Sequence, residues 1–138
     1  MNQENCIFCK IVAGEVPSFK IAESEKFLAI LDIAQYVDGH TIVIPKEHHE
    51  FVWDVPNVGE YFEFVQKVGN HYRDIGFKYV DTMTFGRMVP HAHVHLIPHN
   101  DDDPRWKEAL AKMGEMQVDE SRKLTNEKGN ELQKRFAM

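Results

Sequence analysis

Residues 90–99 read PHAHVHLIPH and hold four of the chain's eight histidines. His91, His93 and His95 alternate with Ala92, Val94 and Leu96. Side chains of a strand point alternately to its two faces, so one face carries three imidazoles and the other three apolar residues. The pattern commits the chain to a sheet that packs a core on one face and presents chemistry on the other. At about 3.3 Å per residue, the outer two histidines stand about 13 Å apart along the backbone. A metal ion with nitrogen ligands at about 2 Å can take two neighbouring histidines, not all three. At least one imidazole is left to act as nucleophile, acid or base near neutral pH. A catalytic metal on His91 and His93 is another reading of the same spacing.

The remaining elements follow from periodicity. CIFCKIVAG, residues 6–14, places Ile7 four before Ile11 and Phe8 four before Val12, a helix closed near Gly14. SFKIAES and FLAILDI are strands joined by a polar turn at Ser24 to Lys26, and HTIVIPK is a third. The Asp38-Gly39 pair between them is a hairpin signal. From Val58 to Ile75, Val58, Tyr61, Phe62, Val65, Val68, Tyr72 and Ile75 recur at steps of three and four, an amphipathic helix ended by Gly76. FKYVDTMTFG and HAHVHLI are the last strands, and two helices follow, DPRWKEALAKM and LTNEKGNELQKRFAM. The expected fold class is α+β: a meander of about five antiparallel strands, one long helix between the third and fourth, and short terminal helices. One domain spans residues 1–138, with a core over about 5–100 and a helical extension over about 101–138.

Composition narrows the partners. A net charge of −6 argues against a binder of polymeric nucleic acid, which carries a basic stripe, but not against a small anionic ligand. No run of about 18 apolar residues predicts a membrane span. The first residues, MNQENCIFCK, lack the basic and apolar regions of a secretion signal, so a cytoplasmic location is expected. Asp101 to Asp103 read as a solvated loop before a helix. Cys6 and Cys9, two residues apart, allow metal binding, redox chemistry or no role. In FGRMVPH, Gly86 admits close backbone approach to a ligand and Arg87 is a phosphate ligand or a surface charge.

HAHVHLI fits the pattern His-φ-His-φ-His-φ-φ, with φ apolar, and the chain resembles the histidine triad (HIT) family of nucleotide-binding hydrolases and transferases. CIFCKIVAGEVPSFKIAES, FLAILDI and GHTIVIPKEH resemble further family stretches in the same order, from about residue 5 to 98. The resemblance implies a sheet-and-helix fold that forms homodimers through its long helix and a sheet edge. It implies binding of a purine nucleotide, an AMP or GMP moiety, and attack at the α-phosphate. His93 is then the nucleophile, forming a covalent nucleotidyl-histidine. His95 contacts the phosphate and helps protonate the leaving group, and His40 flanks the site. Asp32 accepts from the ribose hydroxyls, and Ile7, Phe8, Ile11 and Ile30 wall the base. Family members with this CxxC often bind structural zinc, which maps here to Cys6, Cys9, His48 and His91.

The chain departs from the family before the triad. Many members carry Gly-Gln-Ser there, whereas Arg87 and Met88 follow Gly86. That leaves phosphoramidates, dinucleoside polyphosphates and nucleotidyl sulfates or fluorides open as substrates. The alternative function is a nucleotide-binding or protein-interaction module with weak or vestigial hydrolase activity.

Overall fold

The computed structural model describes residues 3–138 and divides them into two compact units, up to Asp103 and Pro104–Met138. The first contains α1 (Ile7–Val12), β1 (Lys20–Glu23), β2 (Phe27–Leu31), β3 (Thr41–Pro45), α2 (Val58–Asp74), β4 (Tyr79–Met83) and β5 (Val94–His99). The second contains α3 (Pro104–Gln117) and α4 (Asn126–Phe136), the latter capped by Thr125, whose hydroxyl accepts from the Lys128 N–H at 3.2 Å. No helix among the described residues is long and apolar enough to cross a membrane.

The five strands form one antiparallel sheet in the order β1-β2-β3-β5-β4. This is not the simple meander expected. After α2 the chain returns to the far edge as β4, and β5 then fills the gap beside β3. Its residues are buried throughout, as a strand paired on both sides and covered on both faces requires. The ladder with β3 runs only from Val94 to Leu96, so Pro98 falls where β5 pairs with β4 alone.

One face of the sheet packs on α2. Phe27, Ala29, Val43, Ala92, Val94 and Leu96 meet Tyr61, Val65, Val68 and Tyr72 of the helix. The helical stripe is divided: those four face the core, while Val58, Phe62 and Ile75 are exposed. Two core tyrosines have their hydroxyls satisfied. Tyr61 donates to the Val43 carbonyl at 2.5 Å, and the Tyr72 and Thr41 hydroxyls bond to each other at 2.5 Å. The opposite face is covered by α1: Cys6, Phe8 and Cys9 pack on Leu28, Ile30, Ile42 and Ile44. His95 stands across from Ile42 and shares that face.

The edge strand β1 is mostly exposed and contains a register shift between Lys20 and Ala22. Its Lys20 ammonium lies 2.6 Å from Glu23, which also meets Lys46 at 2.8 Å.

Candidate functional site

The hydrogen-bonded part of β5 begins at Val94, three residues later than the alternation predicts. The peptides before it bond elsewhere: the His91 N–H donates to the Val89 carbonyl at 2.9 Å and the Ala92 N–H to that of His49 at 2.6 Å. The alternation nonetheless persists, with Ala92 in the α2-side core and His91 and His93 turned toward α1. Phe8 of α1 sets its ring edge-to-face against both, with centroids 5.7 Å from His91 and 5.2 Å from His93. All three histidines of the alternation are buried.

They divide between two clusters. In the first, the His91 Nδ1 lies 3.3 Å from Cys6 Sγ and 3.5 Å from Cys9 Sγ, and His48 Nδ1 lies 3.3 Å from Cys9 Sγ. The four donor atoms fall within 4.8 Å of one another, and this group can hold a metal ion. Around a tetrahedral ion with sulfur at about 2.3 Å and nitrogen at about 2.0 Å, the sulfur–nitrogen edges are about 3.5 Å. The tautomer also fits. His91 Nε2–H donates to the Pro45 carbonyl at 2.7 Å, which leaves the Nδ1 lone pair directed at the sulfurs. Burial pushes the Cys9 thiol up, so a thiolate there requires a neighbouring cation. Burial is also the leading cause that lowers His91 to about 4, keeping its ring neutral, as a ligand must be.

The second cluster lies at the start of β3 and in the loop before it. Asp38-Gly39 does not make a two-residue hairpin. Instead residues 33–39 form a wider loop, closed by the Asp32 N–H donating to the His40 carbonyl at 2.9 Å. Gly39 has φ 95°, and a Cβ on it would lie 3.1 Å from Pro98 Cγ. Gln35 clamps the loop: its amide donates to the carbonyls of Asp32 and His40, and its oxygen accepts from the Gly39 N–H at 2.8 Å. Nothing in the sequence singles out Gln35. The loop places His40 Nε2 2.8 Å from His95 Nδ1, with Asp32 Oδ2 3.6 Å from the first and 3.9 Å from the second. Burial lowers His95 to about 4, helped by the charges of His93 and His40 and opposed by Asp32. His40 is likewise lowered, chiefly by burial. Asp32 Oδ1 accepts from the Ala34 N–H at 2.8 Å, the turn role, while Oδ2 faces the histidines.

His93 sits between the clusters. Its Nδ1–H donates to the His91 carbonyl at 2.7 Å, so Nε2 carries the free lone pair. The His95 ring is 5.0 Å away. Phe85, which the sequence did not single out, packs edge-to-face with His95 at 5.8 Å, and the Arg87 guanidinium lies over the Phe85 ring at 5.9 Å. Gly86 has φ 73°, and a Cβ there would come within 2.8 Å of Phe51.

Of the candidate base-wall residues, Phe8, Ile11 and Ile30 meet in the α1-side cluster, whereas Ile7 is exposed and outside it. His99, beyond the three alternating histidines and past Pro98, is buried. Its ring stacks on Tyr79 at 5.3 Å, and its Nε2 lies 3.6 Å from Asp81.

The family model described as HIT domain matches residues 13–102. "Protein hit" of Bacillus subtilis is 45% identical over 103 residues, 69% of this chain and 71% of the relative. Adenosine 5'-monophosphoramidase HNT1 of Candida albicans is 32% identical over 146 residues, covering 90% and 96%. Among solved structures, a Bacillus subtilis member of the HIT family superposes with a TM-score of 0.67 at 32% identity, covering 89% of this chain and 100% of that one.

Proposed function

Because the chain belongs to the HIT-domain family, we propose that it is a nucleotide hydrolase or nucleotidyl transferase acting at the α-phosphate. Its substrates are purine nucleoside phosphoramidates or dinucleoside polyphosphates. Yeast relatives carry the name adenosine 5'-monophosphoramidase, which supports this substrate class. The observation that carries the mechanism is the 2.7 Å bond from His93 Nδ1–H to the His91 carbonyl. It holds the nucleophile in the tautomer that aims a lone pair outward.

The His93 Nε2 pair forms a nitrogen–phosphorus bond as the bond to the leaving group breaks, and the leaving group departs with its electron pair. His95 is neutral in the free protein; an anionic phosphate beside it favours its protonation, and it then supplies the proton that the leaving group takes. Water attacks the phosphorus, its proton passes to the now neutral His95, and the nitrogen–phosphorus bond breaks with its electron pair returning to His93 Nε2. His40 holds His95 in place through the 2.8 Å bond. Asp32 Oδ2 accepts from the ribose hydroxyls, Gly86 and Arg87 approach the phosphate, and Phe8, Ile11 and Ile30 wall the base with Ile7 at its rim. Cys6, Cys9, His48 and His91 hold zinc, which acts as a structural crosslink between α1, the loop after β3 and the entry to β5. The unpaired cysteines suit a reducing cytoplasm. The chain pairs as a homodimer through the exposed apolar side of α2 and the β4 edge.

Intact mass spectrometry after mixing with nucleoside phosphoramidates should trap a nucleotidyl adduct that His93→Gly abolishes while nucleotide binding survives. Full turnover by His93→Gly would refute the mechanism. A second reading, a binding module with vestigial chemistry, is favoured by Met88, 96% exposed and next to Arg87 where many family members carry a polar residue. Rapid hydrolysis of an AMP phosphoramidate would exclude it.

A further inference from the structure

We infer that Asp32, His40 and His95 form a second cation site, distinct from the cysteine cluster, for a divalent transition metal of the zinc or cobalt type. The donor atoms His40 Nε2, His95 Nδ1 and Asp32 Oδ2 form a triangle with edges of 2.8, 3.6 and 3.9 Å. Nitrogen and oxygen ligands of one tetrahedral ion at about 2.0–2.1 Å stand about 3.3 Å apart. The mean edge already matches, and sub-ångström shifts even it out. Three protein ligands leave a fourth position open, the arrangement of a metal site that still accepts an exogenous ligand. Two imidazoles and a carboxylate favour borderline ions over calcium or magnesium, which seek oxygen-rich shells.

The protonation of the pair permits binding without loss of a proton. In the metal-free pair one proton lies between His40 Nε2 and His95 Nδ1. His40 Nδ1 has both a donor and an acceptor within reach: the Tyr36 N–H at 3.2 Å and the Ala34 carbonyl at 3.1 Å. Either tautomer of His40 is therefore satisfied. With Nδ1–H donating to Ala34, His40 turns its Nε2 lone pair to the ion. His95 needs only the tautomer protonated at Nε2. Metal and nucleotide then compete, since the ion takes the Asp32 oxygen assigned to the ribose and the His95 Nδ1 through which His40 positions the ring. The inhibition rests on the hydrolase reading; the binding does not.

The test is a Co²⁺ titration of the full chain followed by optical spectroscopy. Binding to the cysteine cluster gives a near-ultraviolet sulfur-to-cobalt band. A further equivalent should add visible d–d absorption with no increase in that band, and AMP should displace it. Its affinity should fall at least tenfold in Asp32→Asn and in His95→Asn. Asp32→Asn keeps the oxygen that accepts from Ala34, so it preserves the loop. Absence of the thiolate-free equivalent, or its unchanged binding to both variants, would overturn the site. In parallel, Zn²⁺ beyond one equivalent should inhibit phosphoramidate hydrolysis competitively. If the wild-type chain hydrolyses nothing, the proposed function fails, and the cobalt titration still decides the site.

Discussion

The most quantitative consequence of the buried histidine pair is a stability loss on mild acidification, and His95→Asn isolates it. His95 is 8% exposed and lowered to about 4 by burial, with His93 and His40 adding repulsion and Asp32 offsetting part of it. Unfolding returns the ring to an ordinary value of about 6.5. The folded value is the lower one, so the unfolded chain binds the proton first. Stability is therefore complete above about pH 6.5 and declines as pH falls toward 4. Integrating over that interval gives a loss from His95 of about 2 kcal/mol at pH 5 and about 3 kcal/mol at pH 4. Against a domain stability of about 5–15 kcal/mol this is a large fraction. Urea melts at pH 7, 6, 5 and 4, with zinc held constant, should show wild type losing that much more than His95→Asn. Comparing slopes cancels the cost of the substitution itself and the contribution of His91, present in both. The carboxyl of Glu23, held near 2 by Lys20 and Lys46, changes stability only below about pH 4.5 and does not contaminate the upper window. Parallel losses in the two proteins, or a wild type that gains stability toward pH 5, would refute the reasoning.

Cys9→Ser should abolish stoichiometric zinc, measured by elemental analysis after gel filtration, and lower the melting temperature by several degrees, since about 1 kcal/mol moves a domain of this size by about 2–8 °C. Gly86→Ala forces an L side chain into φ 73° and onto Phe51; it should cost about 1–2 kcal/mol in melts and lower kcat/KM for phosphoramidates. Arg87→Gln should raise KM for the more highly charged dinucleoside polyphosphates more than for phosphoramidates, with steady-state kinetics as the readout and an equal effect on both as the contrary result.

The sequence made the elements legible because each rests on local periodicity, and the core face of β5 because Ala92, Val94 and Leu96 are apolar. Strand order was not legible, since nothing in residues 79–83 or 94–99 specifies which strand joins β3. The start of β5 was misplaced because His91 and Ala92 give their N–H groups to Val89 and His49 rather than to a ladder. His99, past Pro98, is the i+4 neighbour of His95 on the same face and packs on Tyr79, a contact that local pattern does not reveal. Asp38-Gly39 suggested a tight turn, but Gln35 and the closing Asp32–His40 bond hold a wider one. The clustering of Cys6, Cys9, His48 and His91 came through the family resemblance, as spacing alone left the cysteines ambiguous.

The two edges of the sheet are unequal. On β1 the register shift and the Lys20 and Glu23 charges obstruct an incoming strand, the means by which open sheets avoid uncontrolled accretion. In the proposed homodimer, strand addition is thereby left to β4, the other edge of the sheet. A sheet that can extend at both margins polymerises, whereas one with a single receptive margin is satisfied by one neighbour. In the proposed pairing, the lopsided edge thus sets a ceiling on assembly at the backbone level.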